Sequence, residues 1–447
     1  MTQLKTATST ISVDGENNLK ENARRNNNNA MFIIGLLFFI FGFVTWLNGT
    51  LIPFLKIACQ LETDIQAFFV TFAFYMAYFF LAIPSSFILK KTGYKNGMAL
   101  GLLVMAIGSI IFVPAAGSRN FALFLTGLFI QGTGLALLQT ASNPYISIIG
   151  PIESAAKRIS IMGMCNKIAG ALSPLILGAI VLKGASQVEA NIESATTASE
   201  KAVYLDQLAG RIIIPYIVIA VVLLILAVLI KRSSLPEIEA PQDDASSAAS
   251  KNKTSVFQFP HLMLGVLCLF LYVGVEVMAG DAIGIYGQSM GITIDKTRYF
   301  TTFTLIAMLF GYIAGIFTIP KIISQQTGLK ISAVLGIIFS ICVYATTGYT
   351  AITFIALLGL ANALMWPAIF PLAIAGLGRF TKFGSALLIM GIAGGALLPL
   401  LYGALKVIPA IGNSLAFILC MLPCYLYILF YSIAGYKAGK KLEEKIN

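Results

Sequence analysis

Three ionisable side chains, Lys167, Glu276 and Asp281, sit inside stretches that are otherwise apolar over roughly twenty residues. A charge buried at such a place costs a few kcal/mol or more, so each is a functional candidate by default. Lys167 belongs to the first half of the chain and both acids to the second. An ion pair between Lys167 and either acid would therefore bridge the halves and could serve as a gate, with a substrate or a cation competing for the acid when the pair opens. The plainer reading is a fixed salt bridge that only holds the halves together. Glu276 and Asp281 are five residues apart, roughly 140° around an ideal helix, which argues against their sharing one proton as a dyad. Glycines at 274, 280, 284 and 287 are points where that helix can break.

The same stretches carry groups suited to a polyhydroxylated ligand. Asn48 lies three residues beyond Thr45, Gln139 and Asn143 are one turn apart, and Asn362 comes one turn before Trp366, while Asn166 and Gln288 complete the set. An amide offers a donor and an acceptor to a hydroxyl, and an aromatic plane covers the apolar face of a sugar ring. Only two tryptophans occur, Trp46 and Trp366, both deep in apolar stretches rather than at a headgroup level. Each amide alone could bridge neighbouring helices and each tryptophan could merely pack. Taken together they point to a small neutral sugar as ligand.

The elements that must position these groups follow from composition. Hydrophobic residues make up 58% of the 447-residue chain and charged ones 11%, the mean hydropathy is +0.86, and a soluble domain carries about 25% charged residues. The bilayer is the solvent. Apolar windows recur near 31–55, 67–89, 97–116, 121–149, 160–182 and 212–230, then 260–289, 299–323, 331–348, 351–377, 384–406 and 412–435. Unpaired backbone groups cannot face lipid, so these read as twelve transmembrane helices in an all-α fold. Residues 1–30, polar and Asn-rich, read as a disordered tail, and no apolar core sits near enough to the start for a signal peptide. Residues 233–258, rich in Pro, Glu, Asp, Ser and Lys, read as a linker between a six-helix bundle at 31–232 and a second at 259–436, and 437–447 as a short tail.

Basic residues give the orientation. With both termini in the cytoplasm, Arg24, Arg25, Lys90, Lys91, Lys95, Lys157, Arg158, Lys231, Arg232, Lys321, Lys330, Arg379, Lys382, Lys437, Lys440 and Lys441 lie inside, and only a handful, such as Lys56, Arg119, Lys296 and Lys406, lie outside. The net charge of +11 is thus explained by topology and anionic lipid headgroups, with no nucleic-acid partner required. The outer segment from Ser186 to Gly210, with Glu189, Glu193, Glu200 and Asp206, reads as a surface helix or lid. The six cysteines lack metal spacing and His261 is the only histidine, so neither a metal site nor a catalytic triad is expected, and the chain is not read as an enzyme.

The halves are related. Thr92-Gly93-Tyr94-Lys95 follows the second span and Thr327-Gly328-Leu329-Lys330 the eighth. Gly170 to Ala179 in the fifth span and Gly395 to Ala404 in the eleventh share Gly-Ala-Leu, Pro-Leu and Gly-Ala at matching positions. Two six-helix repeats around a midplane site are an alternating-access architecture.

The residues also resemble a family, the fucose and glucose/galactose permease branch of the major facilitator superfamily, over nearly all of 31–435. The resemblance rests on Leu47-Asn48-Gly49-Thr50-Leu51-Ile52-Pro53, on Leu138-Gln139-Thr140-Ala141-Ser142-Asn143-Pro144-Tyr145, on Tyr272-Val273-Gly274-Val275-Glu276-Val277, on Trp366-Pro367-Ala368-Ile369-Phe370 and on the stretch from Gly376 to Gly395. It implies a symporter for hexoses or 6-deoxyhexoses, working as a single chain in a bacterial-type inner membrane, with the first, fourth, seventh and tenth helices lining the cavity. The chain departs from the pattern at two carboxylates: Gly49 stands where the family typically has an aspartate, and Gln139 where the fucose-type members have a glutamate. Proton coupling through those two positions does not carry over. Either a proton or sodium is then co-transported, or Lys167 replaces the cation in a uniporter or exporter. A sugar sensor without transport would normally need a signalling extension that the short tails do not provide.

Overall fold

The computed structural model describes residues 13–148, 155–233, 235, 253–319 and 322–439, and every regular element among them is helical. Among the described residues, eleven helical stretches are long and apolar enough to cross a membrane. One of them, Asp64–Ser118, has 55 residues, on the order of 80 Å if straight, against a hydrocarbon core of about 30 Å. Gly93 divides it, with φ 75° and ψ 170°, a backbone region that suits glycine and interrupts a helix. The second and third spans lie on either side, and the number of crossings is twelve.

Several spans are discontinuous, and the breaks matter for the site. The first runs through Val13–Thr45, is interrupted at Trp46 and Leu47, and resumes as Asn48–Ala58. The seventh, equivalent to the first in the second half, runs through Pro260–Gly280, is interrupted at Asp281 and Ala282, and resumes as Ile283–Gln288. The tenth, Gly348–Asn362 and Met365–Ile374, and the eleventh, Thr381–Met390 and Gly394–Lys406, are likewise divided. Unwound segments at membrane depth are tolerated only where they are buried in protein or line a cavity. The glycine-rich sequence around Gly280 does end the seventh helix, but only at Asp281, whose amide still donates to the Val277 carbonyl at 2.7 Å, so the separation of roughly 140° between Glu276 and Asp281 holds.

The fourth, fifth and sixth spans are Phe121–Ile148, Ala155–Val181 and Ile213–Arg232, and the eighth, ninth and twelfth are Phe300–Thr318, Gln325–Ala345 and Gly412–Ile433. The seam between the halves is formed where the fifth span packs on the eighth and the second on the eleventh. In the repeated motif, Pro174 and Pro399 both lie inside helices, and the leading glycines are notches at closely packed positions. A Cβ on Gly170 would come within 2.4 Å of Trp46 Cδ1, and one on Gly395 within 2.8 Å of Val277 and 3.1 Å of Tyr75. Ile214, Val218 and Ile225 on the sixth span and Phe310 and Phe317 on the eighth face outwards, as lipid-contacting side chains do.

The tail departs from the expectation of disorder at 1–30. The helix begins at Val13, because Glu16, Leu19, Lys20, Glu21, Ala23, Arg24 and Arg25 are good helix formers and extension from an existing span needs no new nucleus. Residues 1–12 lie outside the described residues, as do 440–447 and most of the linker assigned to 233–258. The last linker residues make a 3-10 turn, Val256–Gln258, in which the Phe257 amide donates to the Ser255 hydroxyl. The segment at 186–210 consists of two short helices, Ala185–Ser194 and Ala198–Gly210, the second capped by Thr197 and tied to the third span's end by an Arg119–Asp206 ion pair of 2.7 Å.

Candidate functional site

Lys167 and Glu276 meet. The lysine Nζ lies 2.8 Å from Glu276 Oε1, and both side chains are nine-tenths or nearly so buried. The pair joins the fifth span to the seventh and so crosses the seam, as the sequence predicts for one of the two acids. On its other side the ammonium stands 4.5 Å above the ring of Trp46, placed to gain from the negative face of the indole. Tyr272, one turn before Glu276, turns its hydroxyl to the same carboxylate.

This pair forms part of the wall of a cavity of about 120 Å³, which is also bounded by Trp46, Gln139, Asn143, Asn166 and Trp366. A water needs about 10–15 Å³ of such space, so the cavity accommodates on the order of ten heavy-atom positions, close to the roughly twelve of a hexose. Gln139, which lines the cavity, donates to the hydroxyl of Tyr78 at 2.8 Å. Trp366 stacks on Phe370 at 5.9 Å and lies 6.5 Å from Tyr272, so one plane of a ready-made aromatic wall is in place.

Four of the expected site residues lie elsewhere. Asn362 is fully buried and accepts from the Tyr425 hydroxyl at 2.8 Å, tying the tenth span to the twelfth, which is the helix-bridging role an amide can play in a membrane. Gln288 reaches Thr297 at 3.4 Å in the loop region beyond the seventh span. Asn48 and Asp281 are buried beside Tyr75, behind the cavity wall. The cavity also uses residues that sequence reading did not single out: Phe38, Phe41, Tyr75, Tyr78, Tyr272 and Tyr312. The spacing of Tyr75 and Tyr78, three apart on one face, and of Tyr272 and Glu276, four apart, was the available signal.

The seam is bridged at the end of the molecule where the first span leads into the second. Asp64, at the capped start of the second span, lies 2.5 Å from both Lys56 and Lys406, and Lys406 belongs to the other half. Elsewhere along the seam, Arg298 donates to the Leu182 and Gly178 carbonyls at 2.6 and 3.4 Å, and Thr302 to that of Ala171 at 3.0 Å. Ile159, Gly163, Pro367 and Ile392 complete the cavity lining. The geometry is that of a two-half carrier closed on one face.

Comparison with known proteins agrees. The sequence profile of the Major Facilitator Superfamily matches residues 34–399. A glucose/galactose transporter of Brucella abortus biovar 1 is 34% identical over 423 residues, 93% of this chain and 96% of the relative. The L-fucose-proton symporter of Escherichia coli K12 is 28% identical over 368 residues, 81% of this chain and 83% of the relative. Among solved structures, that of FucP, a Major Facilitator Superfamily transporter in the outward conformation, superposes with a TM-score of 0.69 at 26% identity, covering 91% of this chain and 98% of that one.

Proposed function

The chain belongs to the Major Facilitator Superfamily, and from its likeness to bacterial sugar transporters we propose that it carries a neutral hexose, glucose or galactose before fucose or mannose, by alternating access. The observation that supports this most is the composition of the cavity wall: amides on the fourth and fifth spans, a charged pair across the seam and a tryptophan from each half, around a volume of hexose size. Drug-sized apolar ligands call for a mostly aliphatic and aromatic lining instead. Both halves of the wall come from one chain, so a single copy suffices.

In this reading the termini lie in the cytoplasm of a bacterial inner membrane, following the basic loops, and the structure represents the state closed to the outside. A sugar hydroxyl group entering from the cavity competes with Lys167 for Glu276, so loading the site loosens the link between the halves. A uniporter is the second reading, and the 2.8 Å ion pair favours it, since Lys167 already stands where a coupling cation would bind the acid.

The two tryptophans provide the test. Because Trp46 and Trp366 both line the cavity and no others exist, titrating purified protein with glucose or galactose is expected to change the intrinsic fluorescence saturably, while sorbitol and lactose do not. Trp366→Phe should remove most of the signal and weaken binding about tenfold, as loss of a stacking plane and its apolar area would. A flat titration with every hexose contradicts the proposal.

A further inference from the structure

The breaks in the first and seventh spans, equivalent points in the two halves, meet face to face. Asp281 occupies the seventh-span break and is 1% exposed. Opposite it the first span restarts at Asn48, and the free N–H of Gly49 in that first turn points to the Asp281 carboxyl group. The Tyr75 hydroxyl approaches Oδ2 at a long 3.5 Å, and Oδ1 has no partner. Lys167, the nearest cation, is engaged by Glu276 on the cavity side. On the restarting first span the Thr50 hydroxyl is also buried without a hydrogen bond, and the Asn48 side chain is turned to the Tyr75 hydroxyl.

Two features set this acid apart from Glu276. The groups aimed at it, Gly49 N–H and Tyr75 O–H, are donors, which repel a metal cation; a hard cation wants about six oxygens instead. A proton, which needs one oxygen, fits. Second, Gly49 and Tyr75 belong to the first half and Asp281 to the second, and Gly49 packs on Thr301 so closely that a Cβ there would lie 2.3 Å from its hydroxyl. Opening the seam on the closed face strips these partners from Asp281 at once and exposes the carboxyl group to that face.

Resting on the hexose-carrier reading above, we propose that Asp281 is the proton-binding group that couples sugar movement to a proton gradient, separate from the Lys167–Glu276 gate. With the outer face open, the carboxylate takes H+ from outside water and becomes the neutral acid, the form that can be sealed beside Gly49 and Tyr75 without a cation. With the cavity side hydrated, its O–H bond breaks, the proton leaves past Tyr75, which lines the cavity, and the carboxylate is held by the Gly49 N–H and the Tyr75 hydroxyl. One proton crosses per cycle.

The test compares wild type with Asp281→Asn in proteoliposomes. Exchange of labelled galactose between the two sides should stay within about threefold of wild type, while galactose-driven proton entry, read by a trapped pH dye, and accumulation against a gradient fall at least tenfold. Asp281→Glu should retain proton entry, which shows that the position tolerates change. Infrared spectra of the wild type at neutral pH should contain a protonated-carboxyl C=O band that Asp281→Asn lacks, a readout independent of sugar. Proton entry persisting in Asp281→Asn, accumulation driven by sodium alone, or no such band overturns the proposal and leaves the hexose reading standing. Exchange lost in Asp281→Asn while Asp281→Glu also fails assigns the residue a structural role and overturns it as well. If the wild type exchanges no hexose, it is the hexose reading that fails.

Discussion

Lys167→Met is expected to reduce hexose exchange by about two to three orders of magnitude. It leaves Glu276 buried without its cation, and an uncompensated charge at such depth costs about 3–5 kcal/mol. Glu276→Gln should do less damage, because the stranded ammonium keeps the face of Trp46 at 4.5 Å, a contact on the order of 1–2 kcal/mol when desolvated. The exchange variant Lys167→Glu with Glu276→Lys distinguishes the two roles of the pair. It restores opposite charges across the seam, so membrane abundance should return. Sugar exchange should not, since the carboxylate now lies over the indole and the ammonium beside Tyr272. Measuring abundance and labelled-galactose exchange side by side decides: recovery of both to within twofold of wild type would mean a fixed structural bridge.

Gly280→Ala should shift the carrier toward the state open on the face that carries the Asp64–Lys406 contact. A Cβ at 280 would stand 2.3 Å from Trp46 Cζ3, and the ring cannot withdraw because the Gly170 notch holds its other edge. Overpacking of this kind costs about 1–3 kcal/mol. The cost falls only on the state in which the seventh span closes on the first, so the equilibrium moves by roughly 5- to 150-fold. Ile65 packs across this seam near Gly403. A cysteine in its place, in a background without the six native cysteines, should react with a membrane-impermeant maleimide at least fivefold faster when Gly280→Ala is present. Gly170→Ala is the control: it crowds Trp46 within one half in both states, and should lower abundance without changing the labelling rate. Equal labelling in all three would show that Gly280 does not act as a hinge contact.

What could be read without coordinates followed from how each property is encoded. The all-helical fold and the twelve crossings lie in local hydropathy, so the windows at 121–149 or 412–435 correspond closely to Phe121–Ile148 and Gly412–Ile433. The relation of the halves lies in a short motif, and Pro174 and Pro399 do occupy matching helix interiors. The limits were where polarity alone had to stand for position. Asn362 has the spacing of a ligand amide with Trp366, yet it bonds Tyr425, because which face of a broken tenth helix turns inward depends on the interruption at Ala363 and Leu364. Gln288 fell past the seventh-span break and left the membrane-depth site for the same reason.

The choice of Lys167 partner also needed three dimensions. In sequence the two acids are equivalent: a glycine stands within two residues before each, and each lies in the half opposite the lysine. Five residues of continuous helix set Asp281 toward Gly49 and Tyr75 and leave Glu276 facing the fifth span. The closure contacts were invisible for another reason. Asp64 and Arg298 sit at the ends of spans, where charges are ordinary, and their bonds to Lys406 and to the Leu182 carbonyl bring together residues 342 and 116 positions apart.

The most direct measurement is uptake of labelled glucose and galactose by proteoliposomes containing the purified chain, with the lumen alkaline and then with the gradient abolished by a protonophore. Accumulation above the external concentration that collapses to equilibration when the protonophore is added is the result expected of a proton-coupled hexose carrier. Absence of any protein-dependent entry of either sugar, with or without the gradient, would contradict it.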